Sequence, residues 1–316
     1  MVCAALASPS EPTLAAERTQ ASDARGLVQL CTHLMLLLWT GYLVLCAQGR
    51  AWWMLVSTLH GIVLTHLYAP LHEATHYTAF RSRLLCDIVA WCCGILTTFN
   101  SHFFRFFHKE HHRRTQQRDQ DPELPGANGS LQNYLAKLFG AEFFVALRGL
   151  FMTAWHGKAA VQNIPWVPKC EVKVIVQSVR VQLIVYAFVA YWAYMRTGAC
   201  ELVVYLWLLP LLLGQPFLWG MFILQHTNTE YNTADTRRNS RVVLAVPKIY
   251  NLIAWNMPYH AVHHMFPQVP FHQLPRVFDD LHSQDEFRYV SKGLLRSHAA
   301  LLLQIFRPSA KVSKLK

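Results

Sequence analysis

The sequence predicts an all-α integral membrane protein, with four transmembrane helices and a cytosolic helical cap. Three observations carry this reading. Hydrophobic residues make up 53% of the 316 residues and charged residues only 15%, against about 25% charged in an ordinary soluble domain. The apolar residues collect in runs close to the roughly 20 residues that a helix needs to cross a bilayer core of about 30 Å. Most Lys and Arg fall in 81–180 or after 236, and basic segments stay on the cytoplasmic side.

Residues 1–25 are rich in Ala, Ser and Glu and read as a disordered cytosolic tail. They lack the basic start and apolar core of a cleavable signal peptide. Four spans follow, at about 27–47, 52–70, 180–197 and 201–224, with Arg50 and Arg196 in the short links inside each pair. Both termini and the long middle segment are therefore expected in the cytosol. A fifth run, Leu84 to Phe99, is shorter and contains Asp87. A full crossing there would separate the histidines after 100 from those at 72–76, so a re-entrant or interfacial helix is expected. The stretch Phe139 to Trp155 is aromatic and apolar but interrupted by Glu142 and Arg148. The membrane domain is expected to cover 26–295, with a basic tail at 296–316.

A net charge of +11 suits nucleic acid or an anionic lipid surface. The apolar runs favour lipid, and no nucleic-acid partner is expected. The eight cysteines form no C-x-x-C pair and mostly sit in apolar stretches, where Cys behaves as a small hydrophobe. That argues against a zinc ribbon or a disulfide framework.

The chain has 17 histidines, and their placement points to a metal. His72 and His76 form H-x-x-x-H at the end of the second span. His108, His111 and His112 form H-x-x-H-H, and His260, His263 and His264 form it again. Residues three and four apart share a helix face, so each cluster is expected to offer its imidazoles to one point. Neutral imidazole suits iron, copper, zinc and nickel. Eight are too many for one ion and about right for two. His226, ending the fourth span, is expected as a ninth ligand. His33, His60, His156, His272, His282 and His298 read as surface or packing residues, and His66 and His102 are not expected at the site.

The order of these clusters resembles the three histidine boxes of the membrane fatty acid desaturase superfamily. Phe103 to Phe107 leads into His108-Lys109-Glu110-His111-His112, with Thr115 and Asp121-Pro122-Glu123-Leu124 behind, and looks like the second box. Asn256-Met257-Pro258-Tyr259 before His260, with Phe266-Pro267 and Pro270-Phe271-His272 after His264, looks like the third. The resemblance runs from roughly residue 30 to 290. It implies a four-span fold whose cytosolic cap holds two irons in a non-haem di-iron site, with dioxygen as co-substrate and an acyl chain as substrate. It carries the eight box histidines over as ligands and puts His226 in the place of a lone histidine between boxes two and three. Two positions depart from the pattern. Phe222 stands where some members place an Asn, and Val262 where an acidic residue is common.

Glu73, Glu110, Asp121 and Glu123 are the acidic candidates for fixing metal-bound imidazoles. No G-x-G-x-x-G follows a strand and no His-Pro-Gly-Gly haem segment is present. Electrons are therefore expected from a separate donor, a cytochrome b5-type protein or a ferredoxin. Arg113, Arg114, Arg118, Arg237, Arg238 and Arg241 would suit an acidic donor or lipid phosphates. The expected reaction is desaturation. Hydroxylation or ketolation of a lipid or isoprenoid on the same site is the nearer alternative. His72-Glu73-Ala74-Thr75-His76 also spells H-E-x-x-H, the zinc-protease pattern, but that leaves six clustered histidines unexplained. A metal transporter would place its ligands inside the spans. The host membrane would be the endoplasmic reticulum in a eukaryote and the inner membrane in a bacterium.

Overall fold

A computed structural model describes residues 18–123, 130–197, 200–282 and 287–306. Leu124, most of the N-terminal tail and Lys311 to Lys316 lie outside them. Among the described residues, four helices are long and apolar enough to cross a membrane. They are α1 (Asp23–Ala47), α2 (Trp53–Thr75, with a turn at His66 and Leu67), and later α7 (Val172–Thr197) and α8 (Glu201–His226). Between them come α3 (Arg83–Thr97), α4 (Ser101–Arg114), α5 (Leu131–Leu138) and α6 (Ala141–His156). After α8 follow α9 (Thr236–Asn239), β1 (Val242–Leu244), α10 (Lys248–Ile253), α11 (His260–Met265), α12 (Leu274–His282), β2 (Val290–Lys292) and α13 (Leu294–Phe306).

The outward faces of the spans carry apolar side chains such as Met35, Leu38 and Trp39 on α1, and Ile184, Phe188 and Trp192 on α7. Exposed apolar surface of that extent suits a hydrocarbon surround. Inside the bundle, α2 and α8 cross backbone to backbone. A Cβ on Gly61 would lie 2.1 Å from the Pro210 carbonyl oxygen, and one on Gly214 would lie 2.1 Å from that of Gly61. Small residues permit such crossings between spans. This one brings the end of α2, with His72, beside the end of α8, with His226.

Helices α3 and α4 bend by 98° against each other. Thr98 adopts a left-handed conformation (φ 66°), and the Asn100 side chain caps α4 by accepting from Phe103 N at 3.0 Å. Asn100 is held in turn by Gln182 (3.1 Å) and Ser178 (3.2 Å) of α7. The apolar run after Leu84 thus ends in a sharp turn, and α4 leads back beneath α2.

Several bounds differ from the expected ones. The third span begins at Val172, earlier than 180. Its first turns bury Val172, Ile175 and Val176 against Val161, Val167 and Trp166, a protein surface that hydropathy alone does not reveal. The boundary expected at 25/26 falls in the first turn of α1, and that at 295/296 falls inside α13. A two-stranded parallel sheet, Val242 opposite Val290 to Leu244 opposite Lys292, ties the segment before the third histidine box to the segment before α13.

Candidate metal centre

The nine clustered histidines meet in two groups. His72, His76, His108, His112 and His263 form one, and His111, His226, His260 and His264 form the other. In each, one nitrogen per ring lies within 4.8 Å of every other. The groups adjoin, since the ring of His112 stacks on that of His264 at 4.1 Å.

This corrects one expectation. The second and third boxes do not each serve one point, because both straddle the two groups. His108 and His112 go to the first group and His111 to the second; His263 goes to the first, His260 and His264 to the second. Helix geometry accounts for the split. At about 3.6 residues per turn, the i+4 side chain is rotated about 40° one way and the i+3 side chain about 60° the other. The i,i+4 pair therefore stays together, and the third histidine turns to the neighbouring group.

The ring nitrogens themselves show whether a metal fits. Nε2 of His112 lies 3.0 Å from Nε2 of His108 and 3.1 Å from Nε2 of His263. Nε2 of His226 lies 2.8 Å from Nε2 of His260. One neutral ring nitrogen has either a proton or a lone pair, so that of His112 cannot serve both neighbours well. Two imidazoles at right angles on one ion, with bonds of about 2.1 Å, would be about 3.0 Å apart. Nε2 of His72, His76, His111 and His264 is buried without a hydrogen-bond partner among the described residues.

The three histidines within the bundle behave differently. Both ring nitrogens of His33 (Val63 O, Trp255 Nε1), His60 (Leu206 O, Thr40 Oγ1) and His66 (Ile62 O, Tyr250 Oη) are engaged. His298 bonds to Tyr134 and His272 to Arg25, and His102 and His156 belong to neither group. The structure thus places the expected nine together, and His33, His60, His66, His102, His156, His272 and His298 outside both groups.

Outer partners set the tautomers, and with them which nitrogen faces inward. His111 Nδ1 donates to Asp121 at 2.8 Å, and His108 Nδ1 donates to Glu123 at 2.7 Å. His226 Nδ1 donates to the Asn239 carbonyl at 3.1 Å. Thr115 Oγ1 donates to the His111 carbonyl at 2.7 Å and accepts from His264 Nδ1 at 3.1 Å. Glu73 is fully buried, with Oε1 3.6 Å from His72 Nδ1 and 4.0 Å from His263 Nδ1, while Thr78 donates to its Oε2 at 2.8 Å. Glu110 instead pairs with Arg113 and Arg114 on the surface. The supporting roles of Thr115 and Asn239 escape sequence reasoning, because their partners lie 149 and 13 residues away.

Burial drives the imidazoles of His108, His112, His260, His263 and His264 well below their usual range, and that of His76 down to about 3. Neutral rings keep a lone pair for a metal. Burial also acts on His111, but the carboxylates of Glu123 and Asp121 outweigh it and pull the ring up. Burial raises Glu123 to about 7. It opposes ionisation of Asp121 as well, yet bonds from His111, Gln116 N and Glu123 N hold that carboxyl below the usual range.

Beside the second group lies a cavity of about 540 Å³, a size that encloses small ligands. His111 and His226 reach it, together with Tyr68, Glu123 and Phe222. Its walls are mostly apolar, from Phe103, Phe104 and Phe107 of α4, Ile175 and Val179 of α7, Trp219 of α8, and Leu301 of α13. Asn133, Tyr134, Lys137 and Gln304 make a polar part. The cap helices α4, α5, α6 and α13 line more of this cavity than the spans do, and α1 lines none of it.

In the H-E-x-x-H segment, Glu73 is fully buried beside the imidazoles of His72 and His263 and does not line the cavity. The arginine face is also less free than its sequence suggests. Arg113, Arg114, Arg237 and Arg238 are paired with Glu110, Asp235 and Glu230, and Arg118 lies over the Tyr231 ring at 4.8 Å.

A sequence profile of the fatty acid desaturase family matches residues 50–293. That stretch is most of the chain and contains all nine histidines, so the chain belongs to the fatty acid desaturase family. The family is that of lipid-modifying enzymes of the desaturase and hydroxylase type, consistent with histidine groups able to hold metal beside an apolar cavity. A comparison with curated proteins finds no match.

Proposed function

We propose that the protein is a dioxygen-dependent desaturase that introduces a double bond into a fatty acyl or related lipid chain. His72, His76, His108, His112 and His263 hold one iron ion, and His111, His226, His260 and His264 hold a second. The observation that carries this is the pair of groups of converging imidazole nitrogens, four of them without a hydrogen-bond partner among the described residues, beside a largely apolar cavity.

When bound, the metal pair supplies the redox chemistry for breaking an unactivated C–H bond, which no side chain can supply. The protein's own part is positioning and exclusion. Phe103, Phe104 and Phe107 line the cavity and keep water from it. His111 and His226, the two ligands that reach the cavity, would set the acyl chain against the second ion. Asp121, Glu123, Asn239 and Thr115 fix the imidazoles they bond, and the carboxylates of Glu73, Asp121 and Glu123 offset the positive charge of buried ions.

Membrane residence follows from the four apolar helices, and we infer that the histidines lie on the cytosolic side, where the basic segments are. Electrons come from a separate carrier of the cytochrome b5 or ferredoxin class. Residues 26–295 act as one membrane-bound catalytic body. Expression in a host followed by lipid profiling tests the reaction. A lipid lighter by two hydrogens supports desaturation, and one gaining an oxygen shows hydroxylation instead.

A further inference from the structure

One carboxylate stands between the two histidine groups. Glu123 Oε1 accepts from Nδ1 of His108, a member of the five-histidine group, at 2.7 Å. Its other oxygen, Oε2, lies 3.6 Å from Nε2 of His111, a member of the four-histidine group. Nδ1 of His111 is already committed to Asp121, so Nε2 is the nitrogen left to face an ion. It has no hydrogen-bond partner among the described residues.

A separation of 3.6 Å is too long for a hydrogen bond. With its proton on Nδ1, His111 turns the Nε2 lone pair towards a carboxylate oxygen, and two electron-rich atoms then face each other. A proton or a metal ion between them would relieve that contact. A second proton on His111 would do so, but it would remove one of only four imidazoles from its group. A metal ion would do so without that loss. Two donors on an ion with bonds of about 2.1 Å are about 3.0 Å apart at a right angle and about 3.6 Å apart at 120°. The pair already has a separation that two ligands of one ion can have. Glu123 also lines the cavity, as His111 and His226 do, whereas no histidine of the first group does.

We propose that Glu123 is itself a ligand, completing a mixed imidazole and carboxylate site with His111, His226, His260 and His264. This rests on the two-metal reading above. The second group then has five donors, like the first, and a negative charge sits on the ion nearest the substrate. Iron accepts both donor types.

The alternative is that Glu123 only steadies His108, and the two roles predict losses at different ions. Glu123→Gln keeps the shape and removes the charge. It is placed in two backgrounds, His76→Ala, which weakens the first site, and His264→Ala, which weakens the second. Each iron-loaded protein is challenged with a chelator, and the bound iron is counted by elemental analysis. If Glu123 is a ligand, Glu123→Gln speeds iron release at least about 10-fold in the His76→Ala background. It leaves the ion in the His264→Ala background in place, and that retained ion also shows that the variant folds. The reverse pattern, or no change in the His76→Ala background, overturns the proposal. Unmutated protein that holds only one ion would overturn the two-metal reading and this inference with it.

Discussion

The rings of His72 and His108 lie 4.4 Å apart, centre to centre, although one closes a span and the other follows a 98° bend. Their contact requires that α3 and α4 turn back to the face from which they came. A crossing at that point would leave two incomplete sets of ligands on opposite sides of a bilayer.

That turn depends on Asn100. Its side chain caps α4 and bonds to Gln182 and Ser178 of α7. Asn100→Ala should cost about 1 kcal/mol for the cap, with a further loss from the two contacts. A lower Tm and faster metal release are expected, because His108, His111 and His112 all sit on α4. An unchanged Tm would mean that the bend is held elsewhere.

The crossing of α2 and α8 should be equally unforgiving. Any Cβ at Gly214 meets the Gly61 carbonyl, and backbone cannot move aside as a flexible side chain can. Overpacking costs about 1–3 kcal/mol, so Gly214→Ala should give little folded protein. Gly149→Ala makes the same chemical change in α6, where a Cβ meets nothing within 4 Å. It should fold at least as well as the parent, since Ala is the better helix former. Folded yield after detergent extraction compares the two.

Asp121 and Glu110 both lie close to the second histidine box, yet only one should matter to the metal. Asp121 holds His111, whereas Glu110 pairs with Arg113 and Arg114 near the surface. Asp121→Asn should weaken metal binding by roughly 10–100-fold. Glu110→Gln should leave metal binding unchanged, because surface ion pairs contribute at most about 1 kcal/mol to stability. Equal effects in a metal titration would contradict the division.

His272 gives a dependence on pH. Burial first, and then the charges of Arg25 and Arg276, lower its imidazole to about 4 from an ordinary 6.5. The folded state therefore binds fewer protons than the unfolded state between those values, and stability falls as pH falls through that window. Protonation would also turn the bond between Arg25 and His272 Nδ1 into a repulsion that loosens the start of α1. The Tm of His272→Gln should fall less between pH 7, just above that window, and pH 5, inside it, than that of the parent. Equal slopes would rule this contact out as their source.

The spacing of the histidines made eight residues of the centre legible, because i,i+3 and i,i+4 positions lie on neighbouring parts of one helix face, and the end of the fourth span marked His226. The spans were legible for a similar reason, since bilayer thickness sets helix length. What spacing could not reveal was long-range. Which imidazole joins which group depends on how α4 and α11 are rotated against α2 and α8. Thr115 follows the second box in the sequence, but its bond to His264, 149 residues on, is not marked by anything local. The early start of α7 reflects burial against Trp166 and Val167, a surface that exists only once the chain is folded. His33, His60 and His66 look like Ligand candidates by residue type alone, and partners on other helices make them structural.

The most direct measurement is the metal content of the full-length protein, purified in lipid nanodiscs from cells grown with iron. The account predicts two iron ions per chain, falling to one in His76→Ala and to one in His260→Ala, since each variant damages a different group. Protein that carries no iron, or variants that both lose every ion or neither, would contradict it.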